Sequence, residues 1–316
     1  MAFKIKEWLK QPKNIFMLVQ TAAIIALGVI LGVVMSRLNS LEERAVAVSA
    51  QLHAMEDSVI SPENAVSFND GAMGDVWLTR LTDVPENPYK SELFKLENGI
   101  MSYNDEELGI SSRAGIDVSY FQGDIDWEKV RASGIEFVML RIGYRGYESG
   151  KLNVDERFEE YIEGAEAAGL HVGVYFFSQA VHPEEALEEA KFVAEMLEGY
   201  KIAYPVVYDW EMIGTSEART DEVSPEVLNQ CCVAFCDYIR QSGYTAMIYA
   251  NRRTALMKMN MSRLKEYDFW LAEYRDEPSY PYIFTMWQYA SDGKIDGIET
   301  EVDMNISFID YAKSGM

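Results

Sequence analysis

The chain has 316 residues, of which 48% are hydrophobic, enough to bury one large core and to leave a smaller module beside it. A formal net charge of −23 argues against nucleic acid as a partner, because phosphate groups would be repelled. Cys231, Cys232 and Cys236 lie too close together on a predicted helix to form an unstrained disulfide, and the three histidines are scattered. The composition therefore predicts no disulfide framework, no metal site and no cofactor.

The N-terminus has the pattern of a membrane anchor. Residues 1–14 carry lysines at positions 4, 6, 10 and 13, and residues 15–35 are uncharged and mostly apolar. An apolar run of about 20 residues spans a bilayer as a helix. Because basic flanks stay in the cytoplasm, the pattern predicts a single-pass protein of the cell membrane with a cytoplasmic N-terminus and the rest of the chain outside. A signal peptide cleaved near residue 47 is the alternative, although signal-peptide cores run only about 7–15 residues.

Residues 36–60 are predicted to continue the anchor as a helical stalk. Apolar side chains recur there at alternating spacings of three and four, as in a coiled coil. Two interpretations stay open: a single helix that extends the membrane span, or a parallel homodimer held by the stalk. Residues 61–113 are acidic and rich in turn-forming residues, which predicts a connector that partly docks onto the next domain. The apolar stalk positions are Leu38, Leu41, Ala45, Val48, Leu52 and Met55.

From residue 114 to the end, short apolar runs alternate with amphipathic helical stretches. Runs rich in β-branched residues that alternate with helices are typical of parallel strands covered by helices. After the fifth run the connections become too short for full helices. The pattern predicts an α/β fold: a TIM-like barrel of five βα units followed by three further strands. The predicted strands are 115–119, 137–143, 171–177, 205–210, 246–250, 269–272, 285–288 and 302–304, and the predicted helices are 154–168, 183–199, 224–243 and about 251–267.

Polar residues fall near the carboxyl ends of these strands, where barrels of this kind carry their chemistry. Asp209 and Glu211 are two apart at the end of the fourth strand, so both side chains point to the same side, with Cβ atoms about 6–7 Å apart. An Asp-x-Glu triplet alone is weak evidence, but two close carboxylates destabilise a fold unless function requires them. The other polar residues at this edge are Asp117, Arg141, Tyr175, Tyr249, Tyr274, Gln288 and Asp303.

Seven short motifs in this segment carry a family resemblance. They are Gly-Ile-Asp-Val-Ser at 115–119, Val-Met-Leu-Arg-Ile-Gly at 138–143, Gly-Val-Tyr-Phe-Phe at 173–177, Tyr-Asp-Trp-Glu at 208–211, Trp-Leu-Ala-Glu-Tyr at 270–274, Met-Trp-Gln-Tyr at 286–289 and Val-Asp-Met-Asn at 302–305. In this order they resemble glycoside hydrolase family 25, the Chalaropsis-type lysozymes. The resemblance covers about residues 114–311 and leaves the anchor, stalk and connector outside.

The resemblance implies a flattened barrel with five βα units and three further strands. It implies hydrolysis of the β-1,4 bond between N-acetylmuramic acid and N-acetylglucosamine in bacterial peptidoglycan, with residues 114–316 as a muramidase domain. The family's acidic catalytic positions match Asp117, Asp209, Glu211 and Asp303. The resemblance also implies retention, with Glu211 as general acid and the substrate's acetamide as nucleophile. A covalent intermediate on Asp209 is the competing scheme.

Further side chains near the predicted mouth are candidates for contact with sugar or peptide, since aromatic faces pack well on sugar CH groups. Core filling is the alternative for each aromatic residue. These candidates are Arg141, Tyr175, Trp210, Tyr249, Tyr274, Trp287 and Gln288.

Two other functions stay open. A non-catalytic module tethered to the membrane could bind the wall, although the four intact acids argue against lost activity. A chitinase-like glycosidase also uses Asp-x-Glu, but the longer acidic run of that class is absent, since Tyr204 and Val207 stand at two of its positions. An anchored muramidase would cut wall close to the membrane, which suits local cell-wall remodelling.

Overall fold

The computed structural model describes residues 64–71, 73–213 and 218–314, together with helical residues 27, 31–32, 34–35, 37–38 and 41. They fall into two compact units: one runs to Asn69 and includes Met73–Thr79, and the other contains Asp70 and all described residues from Arg80 onward. Most of the predicted tail, anchor and stalk (1–14, 15–35 and 36–60) lies outside the described residues. In the parts of the chain that the structure describes, no helix combines the length and the apolar character needed to cross a membrane.

The first unit contains one antiparallel hairpin. Strand β1 (Ala65–Asn69) pairs with β2 (Asp75–Thr79), and the Asn69 side chain donates a 2.9 Å hydrogen bond to Asp75 at the turn. Gly71 and Gly74 have φ of 82° and 77°, the left-handed conformation that glycine adopts without strain.

The second unit begins with a small antiparallel sheet, here called the pre-barrel sheet: β3 (Phe94–Glu97), β4 (Ile100–Asp105) and β5 (Ile110–Ser111). A closed barrel of eight strands follows, with the short β8 attached to the edge of β7. The remaining strands are β6 (Arg113–Val118), β7 (Phe137–Arg145), β8 (Leu152–Val154), β9 (His171–Ser178), β10 (Val206–Trp210), β11 (Ala246–Asn251), β12 (Asp268–Ala272), β13 (Met286–Gly293) and β14 (Val302–Ser307).

The barrel confirms the predicted order of five βα units and three further strands. Seven strands run parallel from β6 to β13, and β14 closes the barrel antiparallel to both neighbours. The helices are α1 (Trp127–Ala132), α2 (Phe158–Ala167), α3 (Pro183–Met196), α4 (Pro225–Gln241), α5 (Arg252–Met257), α6 (Met261–Leu264) and the terminal α7 (Tyr311–Ser314).

Two helix predictions are corrected. Helix α2 begins at Phe158 and not at residue 154, because residues 152–154 pair with the end of β7 as β8. The helix predicted after Ala250 is two short helices, because Asn260 breaks the run and caps α6 by accepting a hydrogen bond from the Arg263 backbone N–H.

Helix α4 shows how sequence fixes packing. Pro225 lies in its first turn, and the Ser224 side chain accepts a hydrogen bond from the Val227 backbone N–H, so the helix has both start signals. The three cysteines of this helix are free and buried, as their apolar periodicity requires.

Strand alternation divides the barrel interior into an apolar base and a polar mouth. Phe137 and Met139 on β7 are fully buried in an apolar cluster that includes Val207 on β10. Two residues further along the same strands, Arg141 and Asp209 line a cavity at the mouth. The parallel strands β7 and β10 therefore contribute to the core at their starts and to the cavity at their carboxyl ends.

The pre-barrel sheet covers the side of the barrel that lacks helices. Tyr89 stacks on Phe308 with ring centroids 3.7 Å apart and donates a 2.6 Å hydrogen bond to the Phe284 carbonyl. Phe94 on β3 packs edge-on against Trp287 of β13, at 5.2 Å. Residues 94–111, predicted as part of a connector, thus form a sheet that shields the outer faces of the last strands.

Gly115 on β6 tests the packing of the barrel interior. A Cβ atom at this position would lie 2.3 Å from the Phe137 ring, so Gly115→Ala forces a buried ring to move. We expect a loss of about 1–3 kcal/mol in the free energy of unfolding, typical of overpacking. Denaturant unfolding of Gly115→Ala, Phe137→Leu and the double variant measures the coupling. The alanine should cost much less in the Phe137→Leu background, and equal cost in both backgrounds would contradict this packing.

Candidate active site

A cavity of about 290 Å³ opens at the carboxyl ends of the parallel strands. Nine of the eleven residues predicted for the site line it, so the structure brings them together at one mouth. The nine are Asp117, Arg141, Tyr175, Asp209, Glu211, Tyr249, Tyr274, Gln288 and Asp303.

The four carboxylates enter this cavity from three strands. Asp117 on β6 is paired in register with Asp303 on the antiparallel β14. Asp209 is the penultimate residue of β10, and Glu211 directly follows that strand. Asp117 and Asp209 are each only 6% exposed, so their charges are poorly hydrated.

Asp117 is fixed by two side-chain amides. Its Oδ2 accepts hydrogen bonds from Gln288 Nε2 at 2.8 Å and from Asn305 Nδ2 at 2.7 Å. The Trp270 indole N–H in turn donates to Asn305 Oδ1 at 2.9 Å, which orients that amide. Burial raises the pKa of Asp117 to about 6, although both amide hydrogen bonds favour the ionised form.

Asp209 has a buried carboxylate oxygen, Oδ1, without a hydrogen-bond partner among the described residues. Burial, reinforced by the charges of Glu211 and Asp117, raises its pKa well above the ordinary value, and Arg141 opposes that rise. Asp209 therefore keeps an unused hydrogen-bond acceptor beside the cavity that it lines.

Glu211 and Asp303 also have raised pKa values in this cavity. Burial raises the pKa of Glu211, and burial together with the charges of Asp117 and Glu211 raises the pKa of Asp303 to about 8. Four anions this close cannot all stay ionised, so the cluster retains protons near neutral pH. The arrangement supplies a proton donor and a carboxylate in one enclosed space.

A hydrogen bond from the buried Gln179 side chain holds the backbone at Glu211 in place. Gln179 Nε2 donates a 2.7 Å hydrogen bond to the Glu211 carbonyl, and Gln179 Oε1 accepts one from Thr220 at 3.1 Å. Gln179 and Thr220 are both fully buried. This contact fixes the point where the chain leaves β10.

Arg141 is the positively charged residue of the cavity wall. Its Nε donates to Asp155 at 2.7 Å, and its guanidinium lies within 5.4 Å of the Tyr120 and Phe121 ring centroids. One terminal nitrogen, Nη2, is buried without a partner among the described residues. It can donate to an oxygen atom of a ligand.

Trp210 and Trp287, also predicted to contact sugar, lie in the core and not in the cavity. Trp210 is 1% exposed and donates from its indole to the Ala180 carbonyl, and Trp287 is fully buried and donates to the Glu273 carbonyl. Each is the strand neighbour of a cavity residue, so alternation turns its ring to the opposite face.

Sequence reasoning missed further residues of the site. Asn305 does not line the cavity but holds Asp117, and it had a signal, since it lies two positions after Asp303 on the same strand and so shares its face. Trp270 lines the cavity and shares the inner face of β12 with Ala272, but no predicted site residue lies on that strand to signal it. Phe121, 63% exposed at the rim, comes from a loop after β6 and had no signal either.

Known proteins share this domain. The "Autolytic lysozyme" of Clostridium acetobutylicum is 27% identical over 193 residues, which cover 60% of this chain and 54% of that protein. "Lysozyme M1" of Streptomyces globisporus is 26% identical over 236 residues, which cover 70% of this chain and 78% of that protein. This chain thus spans only about half the length of the clostridial protein.

Solved structures share the fold. The modular autolysin LytC from Streptococcus pneumoniae, also solved in complex with a synthetic peptidoglycan ligand, superposes with a TM-score of 0.55 at 23% identity. The superposition covers 78% of this chain and 57% of LytC.

The sequence pattern described as "Glycosyl hydrolases family 25" matches residues 116–298, which is more than half of the chain. The matched range contains Asp117, Asp209 and Glu211 and runs from the first barrel strand to just beyond β13. The chain belongs to glycoside hydrolase family 25.

Proposed function

We propose that this chain hydrolyses the β-1,4 bond between N-acetylmuramic acid and N-acetylglucosamine in peptidoglycan. The observation that carries the proposal is the enclosed carboxylate cluster, in which Asp209 and Glu211 line one cavity. Membership of the family supports the reaction class, and two relatives are named lysozymes. The complex of LytC with a synthetic peptidoglycan ligand supports the choice of substrate.

Glu211 is the general acid in this proposal. Burial raises its pKa, so the carboxyl group keeps its proton at higher pH than an exposed glutamate would. A hydrogen bond donated by Tyr249 would favour the ionised form, but the Tyr249 hydroxyl donates to Gln288 Oε1 at 2.9 Å. Its oxygen is thus free to accept a hydrogen bond from protonated Glu211.

Asp209 stabilises charge in the reaction. Burial and the charges of Glu211 and Asp117 raise its pKa, but Arg141 opposes that rise, and positive charge developing at the substrate would favour its ionised form. The Oδ1 atom without a partner can accept a hydrogen bond from the N–H of the muramic acetamide. This contact holds the acetamide against the anomeric carbon.

The reaction then proceeds in two steps with retention. Glu211 gives its proton to the glycosidic oxygen as the bond to the anomeric carbon breaks, and the acetamide oxygen attacks that carbon to form an oxazolinium ion. Water next attacks the anomeric carbon and loses a proton to Glu211, which reopens the acetamide. Such substrate assistance is an exception to the two-carboxylate scheme of glycosidases.

Asp117 and Asp303 do not react in this scheme and instead support the two central carboxyl groups. Asp117 is held by two amide groups and does not have the freedom of an attacking group. Asp303, whose pKa is raised to about 8, holds a proton within the cluster near neutral pH. Trapping a glycosyl ester on Asp209 would contradict substrate assistance and favour the covalent scheme.

Removal of either central carboxyl should abolish digestion of purified peptidoglycan, with a loss of about 100-fold or more for the acid. On an aryl glycoside with an acidic phenol as leaving group, Glu211→Gln should recover most of its activity, because that group departs without protonation. Asp209→Asn should stay inactive on both substrates, because the acetamide is no longer positioned. Release of reducing-end muramic acid and of the phenol are the two measurements.

Glu195→Gln, an exposed position near the end of α3, is the matched control and should digest peptidoglycan like the unchanged protein. Full activity of Glu211→Gln on peptidoglycan would overturn the assignment of the acid. Absence of any digestion by the unchanged chain would overturn the proposed function.

The carboxylate cluster should make stability depend on pH. Because the pKa of Asp303 is raised to about 8 in the folded state, its contribution to stability is fully present below about pH 4 and is lost as the pH rises toward 8. Asp303→Asn should therefore unfold at a higher Tm than the unchanged protein at pH 8, by the equivalent of about 1–3 kcal/mol, and at a similar Tm at pH 4. Thermal unfolding across this range tests this, with the exposed Asp296→Asn as control. An equal effect of Asp303→Asn at both pH values would contradict it.

We further propose that residues 15–35 anchor the enzyme in the bacterial cell membrane, with the barrel outside and wall remodelling confined to the membrane's neighbourhood. The apolar run and its preceding lysines support this topology. Protease added to intact spheroplasts should degrade the barrel and spare an N-terminal cytoplasmic tag. Recovery of the whole chain in the medium would contradict anchoring, and sedimentation of the detergent-solubilised chain as a monomer only would contradict a homodimer through the stalk.

A further inference from the structure

A second concave surface adjoins the active-site cavity. This groove, about 670 Å³ in volume, lies between the β3–β4 turn and the C-terminal half of β13. Tyr274 lines both the groove and the cavity, so the two adjoin at that side chain.

Strand alternation explains the junction. Gln288 and Asp303 face the cavity, and the residues that follow them, Tyr289 and Met304, line the groove. The groove therefore lies on the other face of the same two strands.

The wall made by the pre-barrel sheet is rigid. The Tyr289 hydroxyl accepts a hydrogen bond from the Met101 backbone N–H at 3.0 Å and donates one to the Gly99 carbonyl at 3.1 Å. Asn98 and Gly99 both have positive φ, 52° and 81°, the conformation of a tight hairpin turn. The barrel thus fixes the turn in place before any ligand binds.

The lining of the groove suits a sugar chain. Tyr274 and Leu96 are 55% and 54% exposed, which offers an aromatic and an aliphatic face to the CH groups of sugar rings. The cations Arg275 and Lys294 are balanced by Asp276 and Asp292, so the lining has no net charge. An acidic stem peptide would find no excess of positive charge there, on a chain whose formal net charge is −23.

The size of the cavity requires a further binding surface. At about 290 Å³ the cavity lies at the lower end of ligand pockets, and a polymer that is cut internally must continue beyond it. We propose that the groove binds the glycan strand next to the cleaved bond, as a sugar-binding subsite that the pre-barrel sheet adds to the barrel. This inference rests on the proposed function. Residues 94–101 lie outside the range 116–298 that matches the family.

The test uses the full-length chain in detergent and glycan strands freed of stem peptides by an amidase. Leu96→Asn combined with Asn98→Gly removes the apolar contact and the amide, and glycine preserves the positive φ of the turn. Leu108→Asn is the matched control, because Leu108 is 48% exposed in the turn between β4 and β5 of the same sheet but does not line the groove. The measurement is the ratio of kcat/KM on long strands to kcat/KM on the shortest oligosaccharide that is cleaved.

We expect the double variant to lower this ratio about five- to tenfold and Leu108→Asn to leave it unchanged. An unchanged ratio in a double variant with the Tm of the unchanged protein would overturn the subsite. A ratio that falls only on strands that retain their stem peptides would also overturn it, since the occupant would then be peptide. Failure of the unchanged chain to cleave either substrate would instead overturn the proposed function, and the groove assignment with it.

Discussion

Four carboxyl groups share one small cavity, and this electrostatic constraint governs the rest of the structure. Among the residues that line the cavity, Arg141 is the cation that opposes Asp117, Asp209, Glu211 and Asp303. Removing carboxylates from water and placing them side by side raises their proton affinity, so the site holds an acid beside an anion. The same crowding destabilises the folded state, and the scaffold must offset it elsewhere.

The barrel offsets this repulsion through its closure and its layered interior. The antiparallel β14 brings Asp303 into register with Asp117 and also supplies Asn305, whose amide holds Asp117. Before the cavity positions, toward the base of the barrel, the strands carry large apolar side chains such as Phe137, which is fully buried. Gly115 leaves room for that ring, so a glycine two residues before Asp117 belongs to the construction of the site.

The sequence predicts the features that depend on strand periodicity and chain order. Local sequence periodicity predicts the parallel strands, their helices and the convergence of Asp209 with Glu211. These features do not depend on contacts with distant parts of the chain. The same periodicity, applied strictly, places Trp210 and Trp287 on the outer face, as the structure does. Periodicity does not predict Phe121 or the pre-barrel sheet. Short strands such as β3 are buried only by contact with the barrel, which no local pattern in the sequence shows.

The missing helices and the pre-barrel sheet have one physical cause. Among the described residues, no helix covers the outer faces of strands β12 to β14, and aromatic side chains such as Trp287 and Phe308 would be left in water without another cover. Tyr89 and Phe94 cover them, which fixes the preceding segment to the strands that carry Gln288 and Asp303. The pre-barrel sheet, which buries this apolar surface, therefore ends beside the mouth of the barrel. There it can extend the surface that binds a polymer substrate.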